Sequence, residues 1–231
     1  YSPEEMEVGY KKKNFIQAKY DFIDEMMTFG GIDPAAYQAS GAKVLDVGCG
    51  FGGTSRYLAK KLGSKADVTG ITLSPKQVER GTELAVEQGV AETTKFMVMN
   101  ALQMDFPDNS FDIVWACESG EHMPDKKAYI NEMMRVLKPG GKFVMACWSQ
   151  RDDSAEPFSD KDKRDLQYLY EEWTHPYFIS VDDFKKLIDD TGVMEEVTTA
   201  NWVDETIASW RHSVWVGVFD PRGWIFKPRT Y

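Results

Sequence analysis

The chain has 231 residues, of which 42% are apolar, and a formal net charge of −10. This length fits one large domain, or a domain with a cap, and the apolar content is sufficient for a buried core. The negative charge repels phosphate backbones and anionic headgroups, which argues against a nucleic-acid substrate. Three cysteines without close spacing argue against a disulfide framework or a zinc site, so no bound metal is expected.

Apolar periodicity predicts one helix and then alternating strands and helices. The first helix is predicted over residues 14–29, where apolar side chains recur at helical spacing before two glycines. Strands are predicted over 44–47, 67–71, 94–99, 113–116 and 142–148, and helices over 54–62, 75–88 and about 128–137. This βαβ winding indicates an α/β, Rossmann-like fold with a mostly parallel sheet and helices on both faces.

The pattern changes after residue 148. Residues 149–159 are polar and acidic, which is typical of a connection, and helices are predicted at about 161–173 and 181–191, before a sixth strand at 194–202. The end of the chain is rich in tryptophan, and its apolar side chains recur at helical spacing, which favours a packed helix over an apolar lid: Ile207, Trp210, Val214 and Val218. We therefore predict an amino-terminal helical segment (1–40), a cofactor-binding core (41–150), and a last part (151–231) with cap helices, the sixth strand and the Trp-rich segment.

A glycine turn follows the first predicted strand. Gly48, Gly50 and Gly53 let the backbone turn tightly and approach a ligand at the start of the next helix. A dinucleotide dehydrogenase would need an acidic residue about 20 residues later for the ribose, yet the second strand ends in Thr72. Asp46, just before the turn, can instead organise an ammonium group, which S-adenosylmethionine carries and NAD does not. These residues favour an S-adenosylmethionine site over an NAD site.

Several motifs along nearly the whole chain resemble one enzyme family. They are 118–126 (ESGEHMPDK), 71–75 (ITLSP), the glycine turn with 55–58 (SRYL), 15–19 (FIQAK), 150–153 (QRDD), 173–176 (WTHP) and 197–202 (VTTANW). With these motifs the chain resembles the tocopherol methyltransferase group of class I S-adenosylmethionine-dependent methyltransferases, in particular the cyanobacterial-type 2-methyl-6-phytyl-1,4-benzoquinol (MPBQ/MSBQ) methyltransferases. The resemblance implies methylation of a ring carbon of a prenylated benzoquinol, on the route to tocopherols or plastoquinone. It also implies a chloroplast location, and a lipophilic substrate leaves peripheral membrane contact open.

The resemblance further implies which residues hold S-adenosylmethionine. They are Asp46, Gly48, Cys49 and Gly50 around the methionine part, Thr72, Leu73 and Gln77 on the ribose side, Asn100 and Ala101 at the adenine, and Glu118 near the sulfonium. Asn100 stands where the family usually has Asp, and its amide oxygen can still accept a hydrogen bond from the adenine amino group. Gln77 has an alternative role as the cap partner of Ser74.

Methylation of a quinol carbon calls for a base, because a phenol has a pKa of about 10 and becomes a strong carbon nucleophile when it loses its proton. His122 is the first candidate, since it follows the fourth predicted strand beside the cleft and titrates near neutrality. The alternative is a histidine that only caps or packs the next helix. Glu118 and Glu121 are expected to orient the ring hydroxyl or the imidazole, or to contact solvent, and His175 and His212 rank behind His122.

Other interpretations stay open at this stage. The methyl acceptor can be tocopherol itself, a sterol, an alkaloid nitrogen or a sulfur compound, and the chain can also be a noncatalytic S-adenosylmethionine-binding module. Cys49, Cys117 and Cys147 each lie near the carboxyl end of a predicted strand. A thiol-dependent or metalloid-methylating site is therefore an alternative to simple packing of these cysteines.

Overall fold

The computed structural model describes residues 15–154 and 156–219, and the surroundings of their side chains as far as Val214. Parts of three sequence predictions lie outside the described residues: residues 1–14 of the helical segment, Ala155 of the polar connection, and residues 220–231 of the Trp-rich segment, with Trp224. The side chains of Trp215 and Val218 also lie outside. Met26–Thr199 form one compact unit that contains the sheet, and the described residues before and after it belong to a second unit.

The sheet has five parallel strands in the order β3-β2-β1-β4-β5. The strands are β1 Ala42–Val47, β2 Ala66–Thr72, β3 Thr94–Val98, β4 Phe111–Cys117 and β5 Leu137–Ala146. The two central strands are covered on both faces, and consecutive side chains such as Val114 and Trp115 have no exposed surface. This explains why those strands read as continuous apolar runs in the sequence.

Helices join β1 to β2, β2 to β3 and β4 to β5, because parallel strands need a crossover connection, whereas residues 99–110 join β3 to β4 without a helix. The helices are α1 Phe15–Phe29, α2 Pro34–Ser40, α3 Gly53–Leu62, α4 Pro75–Glu87, α5 Lys126–Val136, α6 Asp160–Glu172, α7 Val181–Asp189 and α8 Val203–Phe219, with a short 3-10 turn at Gly120–His122. The predicted α/β, Rossmann-like class is confirmed. Across residues 15–154 and 156–219, none of the helices combines the length and the apolar character needed to cross a bilayer.

Strand β5 begins five residues earlier than predicted. Phe111 of β4 pairs with Leu137, whereas Ile113 pairs with Lys142, so the residues between those two partners bulge out of the strand. Pro139 has no N–H for the ladder and Gly140 has a φ of 73°, which suits a bulge as well as it suits the end of a helix. Helix α5 therefore ends at Val136, and the strand follows at once.

The sixth strand predicted over 194–202 is wrong, since these described residues form no strand. Met194 and Val197 are half-buried against the apolar cluster around α5, while the residues between them are exposed. A spacing of three does not match the two-residue alternation of a half-buried strand. The two half-buried side chains pack on the cluster, but the backbone beside them has no strand partner.

The second unit contains the beginning of α1 and the described part of α8. The ring of Phe22 meets that of Trp202 edge to face at a centroid distance of 5.8 Å, and the ring of Phe15 meets that of His212 at 5.3 Å. Helix α8 confirms that a helix forms where the spacing predicted one. Ile207, Trp210 and Val214 are nevertheless 39%, 39% and 59% exposed, so their spacing did not mark the buried face, which carries Ala208 instead. His212 is a buried packing residue in this unit, being 6% exposed.

Candidate active site

The carboxyl ends of β1 and β4 meet at the point where the winding of the sheet reverses. In the order β3-β2-β1-β4-β5, the chain winds outward from β1 to β3 and then returns to place β4 on the other side of β1. Ligands of open parallel sheets bind at such a switch point. The glycine turn follows β1, and the segment 118–122 follows β4, so the fold brings the two predicted motifs to one place.

The two motifs are joined through Ser119. Its hydroxyl donates to the carbonyl oxygen of Val47 at 2.8 Å and accepts from the hydroxyl of Tyr129, also at 2.8 Å. A Cβ added to Gly48 would lie 2.4 Å from the Cβ of Ser119, and Gly48 has a φ of 81°. Gly48 is therefore required both by its backbone conformation and by the close approach of the second motif.

Gly50 differs from Gly48 in what it faces. Its φ is 55°, and no atom lies within 4 Å of the position that a Cβ would occupy. The backbone at Gly50 therefore borders open space at the carboxyl end of β1, next to the start of α3. A glycine backbone facing open space beside a helix start is the feature that close approach of a ligand requires.

Asp46 is 2% exposed and accepts a hydrogen bond from the hydroxyl of Ser55 at 2.6 Å. Burial raises the pKa of this carboxyl to about 6, although hydrogen bonds from the side chain and backbone of Ser55 act in the opposite direction. Asp46 thus anchors the first turn of α3 to the end of β1. Its predicted contact with the methionine part of a cofactor stays a prediction.

The ribose-side candidates form a small hydrogen-bonded group after β2. The Thr72 hydroxyl donates to the Gln77 side-chain oxygen at 2.6 Å, and the Ser74 amide donates to the Thr72 hydroxyl oxygen at 3.3 Å. Ser74 caps α4 by accepting from the Gln77 backbone amide. The Gln77 side chain is thus held by Thr72 rather than by the cap, with its NH2 group left as a donor. Leu73 is 71% exposed and can contact a ligand through its surface.

The adenine candidates follow β3. Asn100 is exposed, and its side-chain oxygen accepts from the backbone amide of Leu102 at 3.0 Å, which forms a local turn. A carbonyl oxygen has two lone pairs, so one of them is still available to an adenine amino group. Ala101 is buried at 7% exposure and packs in the apolar cluster.

The segment after β4 carries two carboxyl groups that differ in their exposure to solvent. Glu118 is exposed and has a φ of 51°, which is an uncommon backbone conformation for a non-glycine residue. Glu121 is 2% exposed, and its Oε2 atom has no hydrogen-bond partner. Burial raises the pKa of Glu121 to about 7, with a smaller contribution from the negative charge of Glu118. The structure therefore supplies one exposed carboxyl group and one buried one.

His122 ends the 3-10 turn and is exposed. Partial burial lowers its pKa from the usual value, and the positive charges of His175 and Lys126 lower it further. The two imidazole rings stack at a centroid distance of 4.7 Å. A neutral, exposed imidazole at the end of β4 is suited to accept a proton from a bound phenol.

The three cysteines favour the packing interpretation. Cys49 is buried, and Cys117 and Cys147 are half-buried. Burial raises the pKa of each thiol, in the case of Cys147 to about 11, and negative charges near Cys49 and Cys117 add to this. Such thiols are neutral at working pH and are poor nucleophiles.

Sequence reasoning missed four residues that shape the site: Ser55, Ser119, Lys126 and Tyr129. The Lys126 amine donates to the backbone carbonyls of Glu121 and Met123 at 2.9 and 2.7 Å, and so holds the turn on both sides of His122. One signal was available, because a lysine in the first turn of a helix opposes the helix dipole and suggests that its amine is used elsewhere. The partners of Ser119 are distant in the sequence and left no such signal.

The residues present fit an S-adenosylmethionine-type cofactor. The observation that decides this is the open space beside Gly50, into which a Cβ would project. The Gln77 side chain, which Thr72 holds after β2, and the Asp46 carboxyl, which Ser55 holds at the end of β1, agree with this assignment. Within the described residues, no group of His, Cys, Asp and Glu side chains could hold a metal ion.

Residues 45–145 match the protein family described as a methyltransferase domain. This stretch has the sequence of a methyltransferase domain. The match begins in β1 and ends in β5, so it covers the glycine turn, the Thr72 group and the segment with Glu118 and His122. It therefore includes both sides of the switch point.

Curated relatives point to the same group that the sequence motifs resembled. A 2-methyl-6-phytyl-1,4-hydroquinone methyltransferase of Synechocystis sp. is 46% identical over 214 residues, which are 92% of this chain and 65% of that protein. A chloroplastic tocopherol O-methyltransferase of Arabidopsis thaliana is 37% identical over 84% of this chain and 56% of that protein. The resemblance to the tocopherol methyltransferase group is confirmed. The chain spans less than two thirds of the length of these relatives.

A solved structure supports the fold. A geranyl diphosphate methyltransferase in complex with SAM has a TM-score of 0.69 and 22% sequence identity, and the similarity covers 85% of this chain and 72% of that one. At this identity the likeness concerns the fold alone. It agrees with the α/β class deduced from the strand order.

Proposed function

We propose that this chain transfers the methyl group of S-adenosylmethionine to a ring carbon of a prenylated benzoquinol, on the route to tocopherols or plastoquinone. The observation that carries the proposal is the meeting, at one switch point, of the open Gly50 turn and the exposed His122 imidazole. The 46% identity to a hydroquinone methyltransferase supports the substrate class. The match to a methyltransferase domain supports the reaction type.

The residues of the chain have distinct roles in this proposal. When bound, S-adenosylmethionine supplies a methyl group that is already activated as a sulfonium. Asp46, Gly48, Cys49 and Gly50 border the methionine part, Thr72, Leu73 and Gln77 the ribose, and Asn100 and Ala101 the adenine. Glu118, exposed at the end of β4, offers a negative charge toward the sulfonium.

On the acceptor side, His122 takes the proton of a ring hydroxyl. The resulting phenolate pushes electron density to the ring carbons, which makes carbon a better nucleophile. After methyl transfer the methylated carbon loses its ring proton to solvent, which restores the aromatic ring. The buried carboxyl of Glu121, whose Oε2 atom has no partner, can accept a hydrogen bond from a second polar group. Positioning of the ring against the methyl group supplies a further part of the rate enhancement.

A panel of acceptors with a labelled methyl donor tests this proposal. The panel contains a prenylated benzoquinol, γ-tocopherol, a sterol, an alkaloid amine and a thiol. We expect labelled product with the benzoquinol, with the label on a ring carbon. Transfer to oxygen, nitrogen or sulfur of another acceptor, with none to the quinol, would contradict the proposed substrate but leave methyl transfer as the reaction.

Calorimetry separates the enzyme from a noncatalytic module. We expect S-adenosylmethionine to bind the isolated chain. Absence of binding contradicts the enzyme proposal as a whole, whereas binding without turnover on the entire panel favours a binding module.

A chloroplast location and peripheral membrane contact complete the proposal. The Arabidopsis relative is named chloroplastic, which supports the location. A prenylated quinol dissolves in lipid, so access to it favours contact with a membrane surface. Co-sedimentation with vesicles that contain the quinol, compared with vesicles that lack it, tests that contact.

A further inference from the structure

Three nearly parallel aromatic rings meet beside the candidate base. The ring of His175 stacks on that of His122 at a centroid distance of 4.7 Å and an angle of 20°, and on that of Trp148 at 5.8 Å and 27°. Phe178 lies against His175 at 5.3 Å. His122 follows β4, Trp148 follows β5, and His175 lies between α6 and α7. One imidazole thus connects three segments of the same compact unit.

The backbone before His175 is held in an uncommon conformation. Thr174 has a φ of 55°, which is unfavourable for a β-branched side chain, and helix α6 ends two residues earlier. Such a conformation persists only when the surrounding structure holds it, and it is found most often at functional sites. The His175 amide donates to the Leu169 carbonyl at 3.4 Å, which fixes the turn to the last part of α6.

The ring of His175 is placed by its contacts with other rings. Its Nδ1 atom is buried and has no hydrogen-bond partner. A buried ring nitrogen without a partner is costly, so the position has to be stabilised by the stacking contacts around it.

The charged neighbours of His122 come from each segment around it. They are Lys126 at the start of α5, Glu118 and Glu121 on its own turn, and His175 opposite its ring face. Lys126 acts on the turn through backbone carbonyls. His175 is the group that contacts the imidazole ring itself.

We propose that His175 is a positioning residue, which holds the His122 imidazole in the orientation needed to accept a proton from the bound quinol. The inference rests on the proposed role of His122 as the base. His175 does not need to touch the substrate, and it acts through the ring that it stacks on.

Two replacements of His175 separate stacking from charge. His175→Phe keeps an aromatic ring against His122 and Trp148 but removes the imidazole, whereas His175→Ala removes the ring. Tyr177→Ala is a matched control, because Tyr177 lies in the same connecting segment, is 76% exposed and stacks on Tyr170 rather than on His122. Thermal unfolding of all three variants shows whether each one folds.

The first readout is the proton NMR titration of the His122 ring in the protein without substrate, assigned by its loss in His122→Gln. We expect the pKa of His122 to rise in both His175 variants, because a neighbouring positive charge is removed, and to stay unchanged in Tyr177→Ala. The second readout is turnover. We expect kcat to fall by about tenfold to a hundredfold in His175→Ala, to fall only a few-fold in His175→Phe, and the KM for the cofactor to stay constant.

The outcomes distinguish this inference from the proposed function. An unchanged His122 titration in His175→Ala overturns the inference, whatever happens to turnover. Equal losses of kcat in the Phe and Ala variants also overturn it, because the stacking ring would then have no part in the effect. Normal turnover in His122→Ala contradicts instead the assignment of His122 as the base, and this is measured without any His175 variant.

Discussion

Burial divides the ionisable residues of the candidate site into two groups. Asp46 and Glu121 are each 2% exposed and have raised pKa values, whereas Glu118 and His122 are exposed at the end of β4. A group that exchanges a proton with a bound phenol has to reach it. The exposed imidazole meets this requirement in the structure as it stands, whereas the buried carboxyl groups do not.

Replacement of His122 by Ala tests the base at the residue scale. We expect turnover to fall by about 10²–10⁴-fold, the usual range for general-base assistance, while cofactor affinity stays within a few-fold. The wild-type rate should rise with pH through the pKa of the imidazole, because only the neutral ring accepts a proton. That pKa lies below the usual value, so the rise should come at correspondingly lower pH.

Glu121 also has a shifted pKa and needs its own control. Burial places its pKa at about 7, so a step in the rate could belong to either group. In Glu121→Gln the step should remain, and in His122→Ala it should disappear. The opposite result would transfer the role of base to Glu121, and an unchanged profile in both variants would leave catalysis to positioning of the substrate.

At the scale of elements, the glycine turn was predictable because its signal is local. An apolar strand, a carboxylate and three glycines stand within a few residues of one another, and the helix follows directly. The partners that shape the turn were not predictable. Ser119 reaches Val47 across the switch point, and that contact exists only once β4 lies beside β1.

The errors in the strand predictions have the same origin. The bulge in β5 depends on how Leu137 and Lys142 pair with β4, and apolar periodicity carries no information about pairing. The run from Met194 was read as a strand from its composition, although its half-buried residues are three apart. The stack of His175 on His122 was missed because it joins two segments that are remote in the sequence.

The role assigned to the turn predicts a difference between two glycines of similar conformation. Gly50 and Gly192 have φ values of 55° and 66°, and at both positions a Cβ would meet no atom within 4 Å. Replacement by Ala therefore costs each of them about 1 kcal/mol of backbone strain, without a clash in the protein alone. Only at Gly50 does the new methyl group enter the space proposed for the cofactor.

Calorimetry with S-adenosylmethionine measures the difference directly. We expect Gly50→Ala to weaken binding by about tenfold or more, since an overlap of one methyl group costs about 1–3 kcal/mol. Gly192→Ala, at the end of α7, should bind as the wild type does. Equal affinities in the two variants would place the cofactor away from the turn.

At the scale of the whole molecule, the fold places two buried carboxyl groups in a chain of net charge −10. Both lie at the switch point, where Asp46 supports the start of α3 and Glu121 belongs to the 3-10 turn after β4. Ionisation of either one inside the folded protein is opposed by desolvation. The two buried carboxyl groups therefore lower the free energy of unfolding at neutral and alkaline pH.

This arrangement predicts how the free energy of unfolding depends on pH. Glu121 has a pKa of about 7 in the folded protein, against 4.5 for an ordinary glutamate. Below pH 4.5 the group is protonated in both states and has no effect. As pH rises toward 7 the unfolded chain releases the proton first, so the free energy of unfolding falls by about 3 kcal/mol in total. Above that range this contribution changes no further. Asp46 acts in the same direction at lower pH.

Urea unfolding of wild type and Glu121→Gln at pH 5 and pH 8 checks this prediction. Glutamine cannot ionise, so the variant should gain stability relative to wild type as pH rises, by about 2.5 kcal/mol between the two conditions, since a small part of the effect is already present at pH 5. Glu132→Gln is the matched control, because hydrogen bonds from Arg135 lower the pKa of Glu132 and its ionised form stabilises the folded state. Between pH 5 and pH 8 that variant should keep a nearly constant difference in stability from wild type, because the effect of a lowered pKa is lost only below about pH 4.5. If Glu121→Gln also keeps a constant difference, Glu121 is not held in its neutral form by burial.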